Sequence, residues 1–228
     1  MVIVKRVQIL ASAGMVLSAL IFPCMAKPEA GSAKRDGSAQ ELRNSDKREA
    51  VVQLARAHVL SILQAENGCS AWFREADADA AGVFDSLNIQ IVAKNRGSVL
   101  RSTDGMGMRV YKHPWGARSN QMAGRNSRVE LNPSGPFFIA SSPVIETGTT
   151  GVLLHYIGYR NLSVGEFQGN TVEARLTILL HELAHVIGRI PEDDDSWDGR
   201  SSRNTEEVLH NCKSEIENYA QKSLQARN

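Results

Sequence analysis

The most informative stretch of the 228-residue chain is residues 170–188, Asn-Thr-Val-Glu-Ala-Arg-Leu-Thr-Ile-Leu-Leu-His-Glu-Leu-Ala-His-Val-Ile-Gly. It opens with a capping side chain that Glu173 follows three residues later, which is a helix start signal. No helix breaker occurs before Gly188, a natural C-terminal stop. At about 100° per residue, the large apolar side chains gather on one side, whereas His181 and His185 fall together on the opposite side. The stretch therefore predicts one helix with two histidines on a face turned away from the main core stripe.

Two histidines one helical turn apart can bind the same metal ion. Imidazole nitrogens bind Zn²⁺ at about 2.0–2.1 Å, and side chains four residues apart on a helix can both reach one ion. Glu182 lies one residue further around the helix, where it can take a proton from a water that zinc acidifies to a pKa of about 7. The pattern predicts His181 and His185 as ligands of Zn²⁺ and Glu182 as the general base of a hydrolysis.

The sequence His-Glu-Leu-Ala-His at residues 181–185 resembles the His-Glu-x-x-His active-site helix of the zincin metallopeptidases. The resemblance covers about 35 residues, from Asn170 to roughly Asn204. It implies a zincin-like α+β fold, with a small twisted sheet, an active-site helix and a C-terminal packing helix. It also implies a zinc peptidase, of the endopeptidase type, that acts on a protein or peptide substrate. The alternative is an exported protein that binds zinc in a structural or binding role without catalysis.

The third zinc ligand is where the chain departs from the commonest zincin pattern. Metzincins continue from the second histidine to Gly-x-x-His, and this chain keeps Gly188 but has Pro191 at the place of the last histidine. The acidic run that follows resembles the variants in which aspartate is the third ligand, the snapalysin-like and deuterolysin-like (aspzincin) peptidases. Asp193 is the preferred ligand, because it is the first such side chain after Gly188 turns the chain and Pro191 stiffens it. The alternatives left open are Asp194, Asp195, Asp198 and Glu206.

The N-terminal segment differs in composition from the rest of the chain. Two basic residues precede an apolar run at residues 7–22, and Ala26 follows among small side chains. This is the layout of a signal peptide of residues 1–26, and it predicts an exported, periplasmic or secreted, protein without stable membrane contact after cleavage. Residues 27–45 are polar or small and cannot offset the entropy of ordering, so they are predicted to form a flexible linker to a domain of residues 46–228.

Charge and cysteine usage narrow the remaining possibilities. The formal net charge is +1, and no basic run with interleaved aromatic residues occurs, so a nucleic-acid partner is not expected. Cys69 and Cys212 are the two cysteines that follow the predicted leader. Because exported proteins meet an oxidising compartment, we expect these two residues to form a disulfide, and the alternative is two buried free thiols.

Hydrophobic periodicity in the other segments predicts an α+β domain with short strands between two helical regions. The expected helices are residues 46–67, 70–76, 78–87 and 203–225, and the expected strands are residues 88–94, 106–111, 128–131, 137–140 and 152–156. The last helix carries apolar residues at three- and four-residue steps, so it is expected to pack on the core.

Overall fold

The computed structural model describes residues 33–92, 98–103, 108–147, 154–193 and 199–225. Contacts within the chain divide it into two units, Met1–Gln40 and Glu41–Asn228. In the first unit only residues 33–40 are described, and they are helical. The predicted signal peptide lies outside the described residues. Within the described ranges, no helix is both long enough and apolar enough to cross a bilayer.

Five helices and nine strands make up the described part of the chain. In chain order they are α1 (Ala33–Gln64), α2 (Gly68–Arg74), α3 (Ala80–Asp85), β1 (Asn88–Ile91), β2 (Ser98–Thr103), β3 (Met108–His113), β4 (Ala117–Ser119), β5 (Arg128–Leu131), β6 (Ser141–Thr147), β7 (Leu154–Asn161), β8 (Ser163–Val164), β9 (Phe167–Gln168), α4 (Val172–Val186) and α5 (Arg200–Gln225). The α+β class predicted from the sequence is confirmed.

Helix α1 starts earlier than the sequence predicted. It begins at Ala33 and not near Asp46, so residues 33–45 of the expected linker are helical. This part of the sequence is rich in Ala, Lys, Arg, Glu and Gln, which favour a helix through intrinsic propensity even without apolar surface to bury. Residues 43–50 are all exposed, and burial begins only around Val52. The linker prediction is therefore wrong for the secondary structure of residues 33–45.

A three-stranded sheet places its edge strand beside α4. Its order is β1-β5-β4, in which β1 is parallel to β5 and β4 is antiparallel to β5. Val129 and Leu131 of β5 are fully buried and belong to the core. From β4, the Ser119 hydroxyl donates to the backbone carbonyl of Glu182 over 3.3 Å. The amide of Met122 in the following turn donates to the carbonyl of His185 over 2.9 Å. The edge strand β4 and the turn that follows it are therefore hydrogen-bonded to the backbone of the histidine-bearing helix.

The remaining strands form a four-stranded antiparallel sheet of order β2-β3-β6-β7 and a small hairpin of β8 and β9. The predicted strand at 128–131 is β5, and the predicted strands at 88–94, 106–111 and 152–156 overlap β1, β3 and β7. The predicted strand at residues 137–140 is wrong, because this apolar run is a turn in which the amides of Phe138 and Ile139 both donate to the carbonyl of Gly135. Phe137 is fully buried and fills the core from that turn.

Helix α4 is the centre of the hydrophobic core. Every residue from Leu176 to Val186 is buried, including the polar residues. The sequence predicted a helix with one core face and one polar face. The structure instead covers the histidine face with the chain that follows Gly188 and with the start of α5. The exposures of His181 and His185 are 6% and 5%, so these histidines are not solvated surface residues.

The predicted disulfide joins Cys69 of α2 to Cys212 of α5. It links residues 143 positions apart, so the chain-entropy model gives it a stabilisation of about 5 kcal/mol at most.

We expect the Cys69→Ala, Cys212→Ala double variant to unfold at a lower urea concentration, with a correspondingly smaller free energy of unfolding. Thiol counting in denaturant should find neither cysteine free in the oxidised wild type. An unchanged denaturation midpoint would contradict this role of the disulfide.

Candidate metal centre

The ends of α4 are set by a cap and a glycine. The Thr171 hydroxyl, and not the expected Asn170 side chain, caps the N-terminus by accepting a hydrogen bond from the amide of Ala174 over 3.2 Å. At the other end Gly188 adopts a left-handed φ of 72°, as the predicted stop requires. The amide of Arg189 then donates back to the carbonyl of Ala184 over 2.7 Å. This turn reverses the chain and returns it along the histidine face.

The reversal brings Asp193 to the two histidines. The Nε2 atoms of His181 and His185 lie 2.9 Å apart. Asp193 Oδ2 lies 3.1 Å from His181 Nε2, and Asp193 Oδ1 lies 3.4 Å from His185 Nε2. Among the described residues, these three side chains form a group of metal-binding type whose ligand atoms all lie within 4.8 Å of one another. The side chain that the sequence preferred as third ligand is thus beside the two imidazoles.

The spacing of these atoms fits a tetrahedral ion. Ligands at about 2.05 Å from Zn²⁺ in tetrahedral geometry lie about 3.3 Å from one another. The 2.9 Å between the two Nε2 atoms and the 3.1 Å from His181 Nε2 to Asp193 Oδ2 are close to that value, and Oδ1 of the same carboxylate lies 3.4 Å from His185 Nε2. Two imidazole nitrogens with one carboxylate oxygen are also a donor set that zinc prefers. The three residues therefore fit a zinc ion with one position left for a further ligand.

Glu182 lies next to this group with one carboxylate oxygen unused. Its side chain is 5% exposed, and Oε2 is buried with no hydrogen-bond partner among the described residues. Burial raises the pKa of Glu182, and the positive charge of His181 and the Ser119 hydroxyl offset only part of that rise. A carboxylate whose pKa is raised towards neutrality is a better proton acceptor than an exposed one. The environment of Glu182 is therefore suited to moving a proton.

Asp193 and His185 perturb each other's protonation when no metal is bound. Burial alone raises the pKa of Asp193, but hydrogen bonds with His181 and His185 outweigh it and hold that pKa well below its usual range. For His185, burial lowers the pKa, but the hydrogen bond with Asp193 and the charge of Glu182 outweigh burial and raise it. In the metal-free site Asp193 is therefore anionic, and its hydrogen bond favours the protonated form of His185.

Of the other candidates for the third ligand, Glu206 is the one that lies within the described residues. Glu206 is exposed on α5 and is not part of the cluster among the described residues. Asp194, Asp195 and Asp198 lie outside the described residues. Sequence reasoning treated Asn204 and Thr205 only as the start of a helix, yet both are buried against the site. The available signal was their position, since two polar side chains lie at the start of the last predicted helix, shortly after the acidic loop.

Comparison of the chain with models of known families, with curated protein sequences and with solved structures gives no significant match. The resemblance to zincins therefore stays confined to the short motif on α4 and the loop that follows it. Any function for the chain has to come from the geometry and chemistry of His181, Glu182, His185 and Asp193.

We expect the protein to bind one equivalent of zinc through these side chains. Asp193→Ala should lower zinc affinity by more than about 100-fold, since loss of a ligand costs more than loss of an outer contact. Competition with a chromophoric chelator measures this affinity. Glu192→Gln is a matched control because Glu192 is the exposed neighbour of Asp193. Asp194→Ala and Asp195→Ala test the rival ligands, and a large loss in either with an unaffected Asp193→Ala would reassign the site.

Protons should compete with zinc at His185. Its raised pKa means that the protonated form stabilises the metal-free fold below the unfolded pKa of about 6.5, and that this contribution is lost as pH rises through the raised value. Zinc requires the neutral imidazole, so its effect has the opposite pH dependence. We expect the zinc-induced increase in Tm to be larger at pH 8 than at pH 5.5. Calorimetry of metal-free and zinc-loaded protein measures it, and equal increases at both pH values would contradict the expectation.

Proposed function

We propose that this protein is an exported, zinc-dependent peptidase of zincin type that cleaves protein or peptide substrates internally. The observation that carries the proposal is the convergence of His181, His185 and Asp193 beside a buried Glu182 with a free oxygen. Three protein ligands with one open position are typical of catalytic zinc sites, whereas structural sites have four. A neighbouring carboxylate with a raised pKa adds the proton acceptor that hydrolysis needs.

Each residue has a separate part in the proposed reaction. His181, His185 and Asp193 hold the ion. When bound, zinc supplies Lewis acidity, which lowers the pKa of water to about 7 and polarises a carbonyl group. Glu182 accepts the proton of the attacking water at Oε2 and delivers it to the nitrogen of the leaving amine. Burial favours both transfers, because it keeps the pKa of Glu182 closer to that of its proton donor.

The edge strand β4 supports a peptide as the substrate. It pairs only with β5 in its three-stranded sheet, and Ser119 at its end contacts the backbone of Glu182. An extended peptide can bind a sheet edge through main-chain hydrogen bonds, whatever its side chains. A strand edge beside the metal-binding helix therefore suits a chain that passes through the site and is cut internally.

The arrangement of elements also supports a zincin-like fold. A mixed sheet with an antiparallel edge strand lies against the metal-binding helix, and a glycine turn leads from that helix to the third ligand. An aspartate in this position is the feature shared with snapalysin-like and aspzincin peptidases. The disulfide between α2 and α5 supports export, because such bonds persist mainly in oxidising compartments.

A non-catalytic zinc protein is the second candidate. The deep burial of His181 and His185 favours it, since structural zinc is usually enclosed by protein. The presence of three ligands and not four argues against a structural site. The oxygen of Glu182 that has no partner among the described residues also argues against it, because a structural site does not need that oxygen. The two functions differ in what the loss of the Glu182 carboxylate does.

Glu182→Gln should bind zinc normally and lose hydrolysis. The amide keeps the size of the side chain but cannot accept the proton, so we expect kcat to fall by about 10²- to 10⁴-fold. Mass spectrometry of a diverse peptide library incubated with zinc-loaded wild type and variant measures the cleavage. Glu192→Gln should retain full activity. Undiminished turnover by Glu182→Gln would remove the mechanism, and a zinc-loaded wild type without cleavage would support the non-catalytic candidate.

A further inference from the structure

The first turns of α5 contact two of the three proposed zinc ligands through buried side chains. Asn204 is 3% exposed and Thr205 is 9% exposed. Asn204 reaches Asp193, and Thr205 reaches His181. We infer that Asn204 and Thr205 are positioning residues, which orient the ligand atoms of Asp193 and His181 towards the metal. This inference rests on the proposed zinc site.

The hydrogen bonds of Thr205 determine which nitrogen of His181 carries the proton. A threonine hydroxyl has one hydrogen, and Thr205 donates it to the carbonyl of Ser201 over 2.9 Å. The 3.2 Å contact between Thr205 Oγ1 and His181 Nδ1 therefore requires the imidazole to be the donor. With its proton on Nδ1, neutral His181 presents the lone pair of Nε2 to the cluster. Thr205 thus selects the tautomer that binds a metal through Nε2.

Asn204 fixes the aspartate in the same way. Its side-chain nitrogen donates to the carbonyl of Pro191 over 2.8 Å and to Asp193 Oδ1 over 2.7 Å. Both partners accept hydrogen bonds and cannot donate them, so the amide has one orientation that satisfies them. The first bond holds the loop after α4, and the second fixes the carboxylate at Oδ1, while Ser201 also hydrogen-bonds the Asp193 side chain. The carboxylate is thereby oriented so that Oδ2 faces His181 Nε2 at 3.1 Å.

The platform that carries these two residues is itself held rigidly. Val208, Cys212 and Ile216 of α5 are fully buried in the core. The disulfide joins Cys212 to α2, so α5 is fixed covalently as well as by packing. A rigid support is what an outer shell needs, because a ligand that can rotate away loses affinity for its metal.

The test compares zinc affinity in four variants by chelator competition, together with the visible spectrum of the cobalt-substituted protein. Thr205→Val removes the hydroxyl and keeps the shape, so we expect zinc affinity to fall by about 10- to 100-fold and the cobalt bands to shift. Thr205→Ser keeps the hydroxyl, so its zinc affinity and its cobalt bands should match those of the wild type. Asn204→Ala should show a loss of the same size. Asn211→Ala is the matched control, because Asn211 lies on the same helix and donates only to the carbonyl of Glu207.

The outcomes separate this inference from the proposed function. A wild type that binds neither zinc nor cobalt overturns the metal site itself. A wild type that binds zinc while Thr205→Val and Asn204→Ala stay within threefold of its affinity overturns the positioning role alone. Thermal unfolding of the metal-free variants shows whether each is folded. If Thr205→Val does not fold, the comparison of Asn204→Ala with Asn211→Ala decides, since equal affinities there also overturn the inference.

Discussion

Gly188 ends α4 in the left-handed conformation, and the position of Asp193, the third proposed metal ligand, depends on that reversal. A Cβ atom at this position would lie 3.0 Å from Cγ of Met122, so both backbone strain and contact with the neighbouring turn disfavour any other residue. The reversed chain runs back along the histidine face and places Asp193 within 3.4 Å of both Nε2 atoms. A helix that continued past Gly188 would carry Asp193 away from His181 and His185.

Burial also raises the free-energy cost of unbalanced charge at the site. Glu182 and Asp193 contribute two negative charges when both are ionised, and they lie beside the imidazoles of His181 and His185 in a largely buried position. Buried charge is costly unless it is balanced, and the metal-free protein balances it by raising the pKa of Glu182 and that of His185. A divalent cation balances the same two charges without protons. The perturbed pKa values and the metal-binding geometry are therefore two consequences of one arrangement.

Local signals predicted the helix and its histidines, because periodicity, capping and spacing act within a few residues. They also gave Asp193, since the glycine turn limits where the chain can go next. They failed where long-range packing decides, as at residues 137–140, where a strand-like apolar run forms a turn that buries Phe137. The contacts of Asn204 and Thr205 could not be predicted from the sequence for the same reason, because a buried polar contact depends on the element packed against it.

Helix α5 connects the disulfide to the metal centre. The sequence predicted it only as packing support, yet its buried face carries both Thr205 and Cys212, which are seven residues or about two turns apart. Side chains at that spacing lie on the same side of a helix, so the cross-link to α2 holds the face that contacts His181. An oxidising environment, in which that cross-link persists, thus also favours the ordered outer shell of the metal centre. The proposed export and the proposed metal binding are linked through the geometry of one helix.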